Sequence, residues 1–149
     1  MHSKDYSNQL WRWDIQGKYW LQVGASGAMP KNRNHHGCKV DHKNGILYIF
    51  GGRTARQKSA LLSDLWSYNL NKNLWTRLGG ADKHNQWPSA RFLPTFVHDG
   101  SVLYILGGQD EDGNRLNDAW KFDLSTMKME RENKASCPRL KKRGDRDCF

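Results

Sequence analysis

The chain has 149 residues, 37% of them hydrophobic and 11% aromatic, which is length for one ordinary domain. No run approaches 18 apolar residues, so a membrane-spanning helix is excluded, and no apolar run follows Met1, so a signal peptide is not expected. The formal net charge of +9 admits an anionic partner, but much of the excess sits in Arg139, Lys141, Lys142, Arg143 and Arg146, which read as a solvated tail.

Three cysteines, Cys38, Cys137 and Cys148, are odd in number and lack a C-x-x-C spacing. A disulfide framework is therefore not expected, and a reducing, intracellular and cytoplasmic setting is. Seven Trp, five Tyr and five Phe stand in for missing aliphatics. Each buried aromatic removes roughly 150–250 Å² from water, so this composition suits a thin, aromatic-rich β domain.

Along residues 8–23, Trp11, Trp13 and Ile15 alternate with Arg12 and Asp14, the period of a half-buried strand. A turn at Gln16-Gly17-Lys18 leads to a second strand over residues 19–23, completing a hairpin. A loop with Pro30 and Arg33 precedes a polar strand over residues 38–42. Asn44-Gly45 signals a hairpin, because both residue types tolerate positive φ. The apolar strand over residues 46–50 then ends in Gly51-Gly52.

The opening segment now returns. Trp66, Tyr68, Leu70 and Trp75 each lie 55 residues after Trp11, Trp13, Ile15 and Trp20. A strand over residues 92–98, a turn at Asp99-Gly100 and a strand over residues 102–106 end in Gly107-Gly108. Trp120, Phe122 and Leu124 follow 54 residues after Trp66, Tyr68 and Leu70. Met129 takes the place of Trp75, which is expected to loosen the outer packing there. Residues 133–149 hold Pro138-Arg139 and no further Gly pair, and are expected to be disordered.

A repeat of about 50 residues points to a propeller-type array. The pattern resembles the kelch repeat. Arg33, Gly51, Gly52, Asp64, Trp66, Tyr68 and Trp75 carry the resemblance in one copy. Arg91, Gly107, Gly108, Asp118, Trp120 and Phe122 carry it in the next, and Trp11, Trp13 and Trp20 mark an N-terminal half copy. The expected fold is all-β: an incomplete kelch-type β-propeller of two four-stranded antiparallel blades plus a half blade. Residues 1–132 form it, with the half blade over 6–24, blades over 34–78 and 91–132, and a basic tail over 133–149. Trp and Tyr are expected to fill the space between neighbouring sheets. Complete propellers have about 4–8 blades. The chain is therefore read as a fragment or truncated form of a larger propeller, with a self-assembling partial ring or a binder of another propeller's open end as alternatives.

Candidate chemistry is sparse. His35, His36, Cys38 and His42 are metal-ligand types, but an extended chain holds His42 about 13–20 Å from the others, so polar filling of an inner strand is preferred. Asp110-x-Asp112-Gly113-Asn114 resembles part of a calcium loop, yet the twelfth position is Lys121, so a turn at Asp112-Gly113 is preferred. Arg143-Gly144-Asp145 is an adhesion-like tripeptide without a secretory context, and Lys141-Lys142-Arg143 is a short basic patch. The Gly pairs do not open helices, so they are not read as phosphate cradles.

No catalytic, cofactor-binding or metal site is assigned. The resemblance implies a non-enzymatic protein-interaction module whose loops after the Gly pairs and between blades bind a protein partner. These are residues 53–60, 109–115, 24–34 and 79–91, with Arg53, Arg56, Lys58, Asp110, Glu111, Asp112 and Arg115 as the candidate contacts. A galactose-oxidase-like copper enzyme fragment is the alternative, and nucleic-acid binding through the tail is a third reading.

Overall fold

A computed structural model describes residues 7–54, 60–81 and 86–132. All ten elements among these described residues are strands. The sequence β1 (Leu10–Asp14) and β2 (Tyr19–Val23) forms a two-stranded sheet. The strands β3 (Gly37–Asp41), β4 (Ile46–Phe50), β5 (Leu65–Asn69) and β6 (Leu74–Gly79) form the first four-stranded sheet, paired in chain order. The strands β7 (Thr95–His98), β8 (Val102–Leu106), β9 (Ala119–Asp123) and β10 (Lys128–Arg131) form the second in the same order. Every pairing is antiparallel. The fold is all-β, with blades of a partial propeller and a two-stranded companion, as the repeat predicts.

The hairpins close by a device that the dipeptide signals do not reveal. In four of them an Asp or Asn at the end of the first strand accepts backbone N–H bonds from the turn. Asp14 accepts from Gly17, Asp41 from Lys43 and Asn44, Asn69 from Asn71 and Lys72, and Asp123 from Ser125 and Thr126. The fourth residue after each has positive φ: Lys18, Gly45, Asn73 and Met127. Only Gly45, at φ 64°, takes that conformation in the Asn44-Gly45 pair; Asn44 instead donates from its side chain to Asp41. The side-chain carboxylate thus organises the turn and relieves Asn44 of the left-handed role.

Two clusters make the core. Tyr48, Phe50 and Leu65 of the first blade pack against Phe96, Leu103, Ile105, Trp120 and Phe122 of the second. On the opposite face of the first blade, Ile49, Trp66, Tyr68 and Trp75 meet Leu10, Val23 and Ala25 from the two-stranded sheet and the segment after it. The first blade is therefore covered on both faces, and its apolar strand β4 shows little alternation. By contrast β8 alternates, with Leu103 and Ile105 buried toward the first blade and Leu106 exposed on the other face.

Aromatic filling between sheets holds for Trp66, Tyr68, Trp75 and Trp120, which are buried. It fails for the two-stranded sheet, where Trp11, Trp13 and Trp20 are 49%, 43% and 62% exposed. Among the described residues, only the face of that sheet bearing Leu10 and Val23 has a neighbour, and the Trp residues lie on the other. The expected loosening at Met129 is offset from an unforeseen quarter. Trp87, in the segment between the blades, places its ring edge-on 6.1 Å from Phe122, and Met129 packs against the same cluster.

Candidate functional site

Each Gly pair ends an apolar strand where the chain must turn sharply under its neighbour. Gly52 has φ 92°, and a Cβ there would lie 2.6 Å from the Asn34 carbonyl oxygen. Gly108 repeats this at φ 104°, with a Cβ position 2.9 Å from the Phe92 carbonyl. Neither conformation nor space admits a side chain.

Behind each pair lies the same clamp. Arg33 donates from Nη1 to the Gly51 carbonyl at 3.0 Å and forms a two-pronged ion pair with Asp64 at 2.7 and 2.8 Å. Trp66 Nε1 donates to the same carboxylate at 2.6 Å. Arg91, Gly107, Asp118 and Trp120 repeat the arrangement, with ion-pair distances of 2.6 and 2.9 Å. Burial pushes both carboxyls up, but the bonds and charge of the arginines, with the indole N–H, outweigh it and hold Asp64 and Asp118 below the usual carboxylate range. Sequence reading included these residues in the repeat signature but not their convergence; the shared spacing was the available signal.

The clamps stiffen the ends of the sheets from which the loops leave. Because each sheet is an antiparallel meander, the segments after β4 and β6 depart from one end and the tight turns from the other. Backbone bonds stitch these segments together: Arg53 with Asn34, Gly52 with Arg91, and Gln109 with Phe92. Arg53 stacks its guanidinium 5.1 Å from the Phe92 ring centre, so it is tied to the scaffold. Arg56 and Lys58 lie outside the described residues.

The acidic loop is ordered by Asp110. Its carboxylate accepts from the backbone N–H groups of Asp112 and Asn114 and from the Asn114 side chain. The Asn114 side-chain bond, with the backbone donors, holds its carboxyl below the usual range. The turn is centred on Glu111 and Asp112, since Gly113 N–H returns to the Asp110 carbonyl, and Gly113 follows at φ 84°. The turn thus starts two residues before the Asp112-Gly113 pair. Asp110, Glu111 and Asp112 line an open groove of about 320 Å³ with Leu61, Ser89 and Ala90. Arg115 bridges to Gln109 at the base of this loop and is exposed. The structure therefore brings Asp110, Glu111, Asp112 and Arg115 together and places Arg53 beside Phe92.

A family model described as the KLHDC2/KLHL20/DRC7 Kelch-repeats domain matches residues 1–145. The chain belongs to the kelch-repeat family. It is 30% identical over 118 residues to Kelch domain-containing protein 10 of Rattus norvegicus, covering 78% of this chain and 28% of that protein. Kelch-like protein 41a of Danio rerio is 33% identical over 130 residues, or 87% of this chain and 19% of that protein. Mei4-dependent protein 6 of Schizosaccharomyces pombe is 27% identical over 131 residues, or 82% of this chain and 19% of that protein. The chain thus spans 19–28% of the length of these curated relatives.

The histidine-rich stretch of this kelch chain is split by β3, the first strand of the first blade. His35 and His42 are exposed on either side of β3, His36 is half-buried, and Cys38 is a free, exposed thiol. Burial pushes the His36 imidazole down, and the charges of Arg33 and His35 add to the effect. Among the described residues, no three His, Cys, Asp or Glu side chains converge in a group fit to hold a metal ion. Among the same residues, no helix is long and apolar enough to cross a membrane.

Proposed function

We propose that this kelch-repeat chain is a non-enzymatic protein-interaction module that works inside the cell as part of a longer propeller, and that binds its partner with the loops beyond the Gly pairs. The observation that carries this reading is the stitched loop end. Clamped strands hold the 109–115 loop against residues 61 and 89–90, so that Asp110, Glu111 and Asp112 border one groove on a rigid base, with Arg115 bridged to Gln109 at the base of the same loop. Variable side chains on a fixed frame are what recognition needs. Membership of the kelch-repeat family, and the kelch proteins among its relatives, support a protein as partner. The exposed thiol of Cys38 accords with a reducing compartment.

The oxidase-like alternative needs Tyr, Cys and His ligands at one point, and no observation among the described residues favours it. The basic tail over residues 133–149 lies outside the described residues.

Peptide display on the immobilised chain tests the proposal. Selected sequences should lose at least tenfold in affinity to Glu111→Lys or Arg115→Glu variants that melt like the parent. Selections that recover no sequence, or sequences indifferent to both changes, would overturn it.

A further inference from the structure

Asn44 is the one asparagine of the chain followed directly by glycine. It is exposed, in the turn between β3 and β4. In such a pair the glycine nitrogen can reach the asparagine side-chain carbon and close a five-membered ring. Glycine matters because no side chain shields its nitrogen. This reaction is one reason that asparagine counts among the thermolabile residues.

The turn leaves that nitrogen unengaged. Lys18 and Met127 stand at the same place in their own turns, and their N–H groups donate to the Asp14 and Asp123 carbonyls at 2.9 and 2.8 Å. Gly113, the glycine of Asp112-Gly113, likewise donates to the Asp110 carbonyl at 3.1 Å. Among the described residues, the Gly45 N–H makes no such bond. Two other bonds hold the pair. Asn44 Nδ2 donates to Asp41 Oδ2 at 2.7 Å, and the Gly45 carbonyl accepts from Leu70 N–H at 2.9 Å. The second bond ties the β3–β4 turn to the β5–β6 turn.

We propose that Asn44 is a site of spontaneous covalent modification, deamidating through attack by the Gly45 nitrogen, and that the product releases the bond between the two turns of the first blade. The Gly45 nitrogen gives its proton to a solvent base and bonds to Asn44 Cγ. The Cγ–Nδ2 bond breaks, and the amide nitrogen leaves as ammonia after taking a proton from solvent. The cyclic imide then takes up one water. Opening at Cγ leaves an aspartate at position 44. Opening at the main-chain carbonyl leaves an isoaspartate, with the chain running through the former side chain. No oxidant or reductant is involved.

Both products undo what holds the turn. Asp41 is buried, and the Asn44 side-chain bond is the foremost cause that keeps its carboxyl below the usual range. Each product loses that donor and adds a carboxylate beside Asp41, where like charges repel. Isoaspartate also lengthens the main chain by one methylene, which displaces Gly45 from Leu70. The site lies at the opposite end of the sheet from the loop groove, so it stands or falls independently of partner binding.

The test ages the full chain in mildly alkaline buffer, folded and in urea, and follows digests by mass spectrometry. The mass gain of an amide turned acid should appear at residue 44 before Asn71, Asn73 or Asn114, and a protein isoaspartate methyltransferase should label the same peptide. The folded rate at residue 44 should lie within about tenfold of the unfolded rate, the mark of a site that needs little opening. In the aged, more acidic fraction separated by ion exchange, the Leu70 amide proton should exchange at least about tenfold faster than in the parent. The Leu124 amide, bonded to Ser101 at the equivalent place in the second blade, should not change. An Asn44→Gln variant should keep the parental Leu70 exchange after the same treatment. Protection of residue 44 by more than about tenfold on folding, earlier modification of another asparagine, or an acidic fraction with parental Leu70 exchange would overturn the proposal.

Discussion

Arg91 grips Asp118 with both guanidinium prongs, at 2.6 and 2.9 Å, and its side chain is wholly buried. Its backbone meanwhile belongs to the blade before. Its carbonyl accepts from Gly52 N–H, and its own N–H donates to the Leu62 carbonyl. One residue therefore joins the two blades through main chain and side chain at once.

Removing that arginine leaves a buried carboxylate without its counter-charge. Arg91→Ala should cost about 3–5 kcal/mol in urea unfolding. Arg91→Lys should recover little, because an ammonium cannot form the two-pronged contact. A loss under 1 kcal/mol for the alanine variant would show that the clamp is not formed in solution.

Acid should undo the same clamps. Asp64 and Asp118 have folded pKa values below the usual aspartate value, so they bind fewer protons folded than unfolded. Their stabilisation is complete above about pH 4 and declines as pH falls through the lowered folded values. Urea midpoints taken from pH 5 downward should drop, and the drop should be shallower in an Asp118→Asn variant. Equal slopes would remove Asp118 from the acid transition.

The turn aspartate Asp123 should also titrate well below the ordinary carboxylate range. The Ser125 hydroxyl, then the backbone N–H groups of Thr126 and Ser125, hold its carboxyl at about 2. Carboxyl carbon shifts followed by NMR should give that midpoint, and Ser125→Ala should move it upward. A midpoint near the usual value of about 3.9 would mean that the turn is not capped.

Equivalent tryptophans should differ sharply. Trp66→Ala removes a buried ring and should cost about 3–5 kcal/mol. Trp11→Ala, 55 residues earlier in the same repeat position, should change stability by about 0.5 kcal/mol or less, since the ring is half-exposed. Comparable losses would mean that the Trp11 face is covered in solution.

Gly52→Ala should be among the worst single changes. Its φ of 92° is unsuited to a side chain, and the added carbon meets the Asn34 backbone. A loss above about 2 kcal/mol is expected from conformation and clash together. Gly24→Ala, where nothing lies within reach, is the control.

The strands were legible because alternation and the apolar runs before Gly51-Gly52 and Gly107-Gly108 are local signals. β4 and β8 fall on the residues expected. The turns were legible as turns but not as mechanisms. The Asn44-Gly45 pair drew the eye, while the organising residue was Asp41, three positions earlier. The same acid or amide at the end of β1, β5 and β9 was in plain view as a pattern. The clamps were hidden for a different reason. Arg33 and Asp64 are 31 residues apart, and a loop arginine reads as a solvated charge until the fold brings a carboxylate to it. Exposure of Trp11, Trp13 and Trp20 was likewise invisible, because a repeat pattern states what a residue resembles and not what lies opposite it. In the loops, the charge of Arg53 is legible in the sequence, but the stacking of its guanidinium on Phe92 is not, because the two residues lie far apart in the chain.

The double attachment of Arg91 also bears on how the molecule opens. In a linear array each unit can unfold with only its nearest interface to lose. Here the second blade cannot release its clamp without disturbing the residue whose backbone closes the first, so the two should breathe together. Amide protons in β4 and β8 should then exchange with one shared opening free energy, and the two-stranded sheet should exchange faster, as a separate and weaker unit.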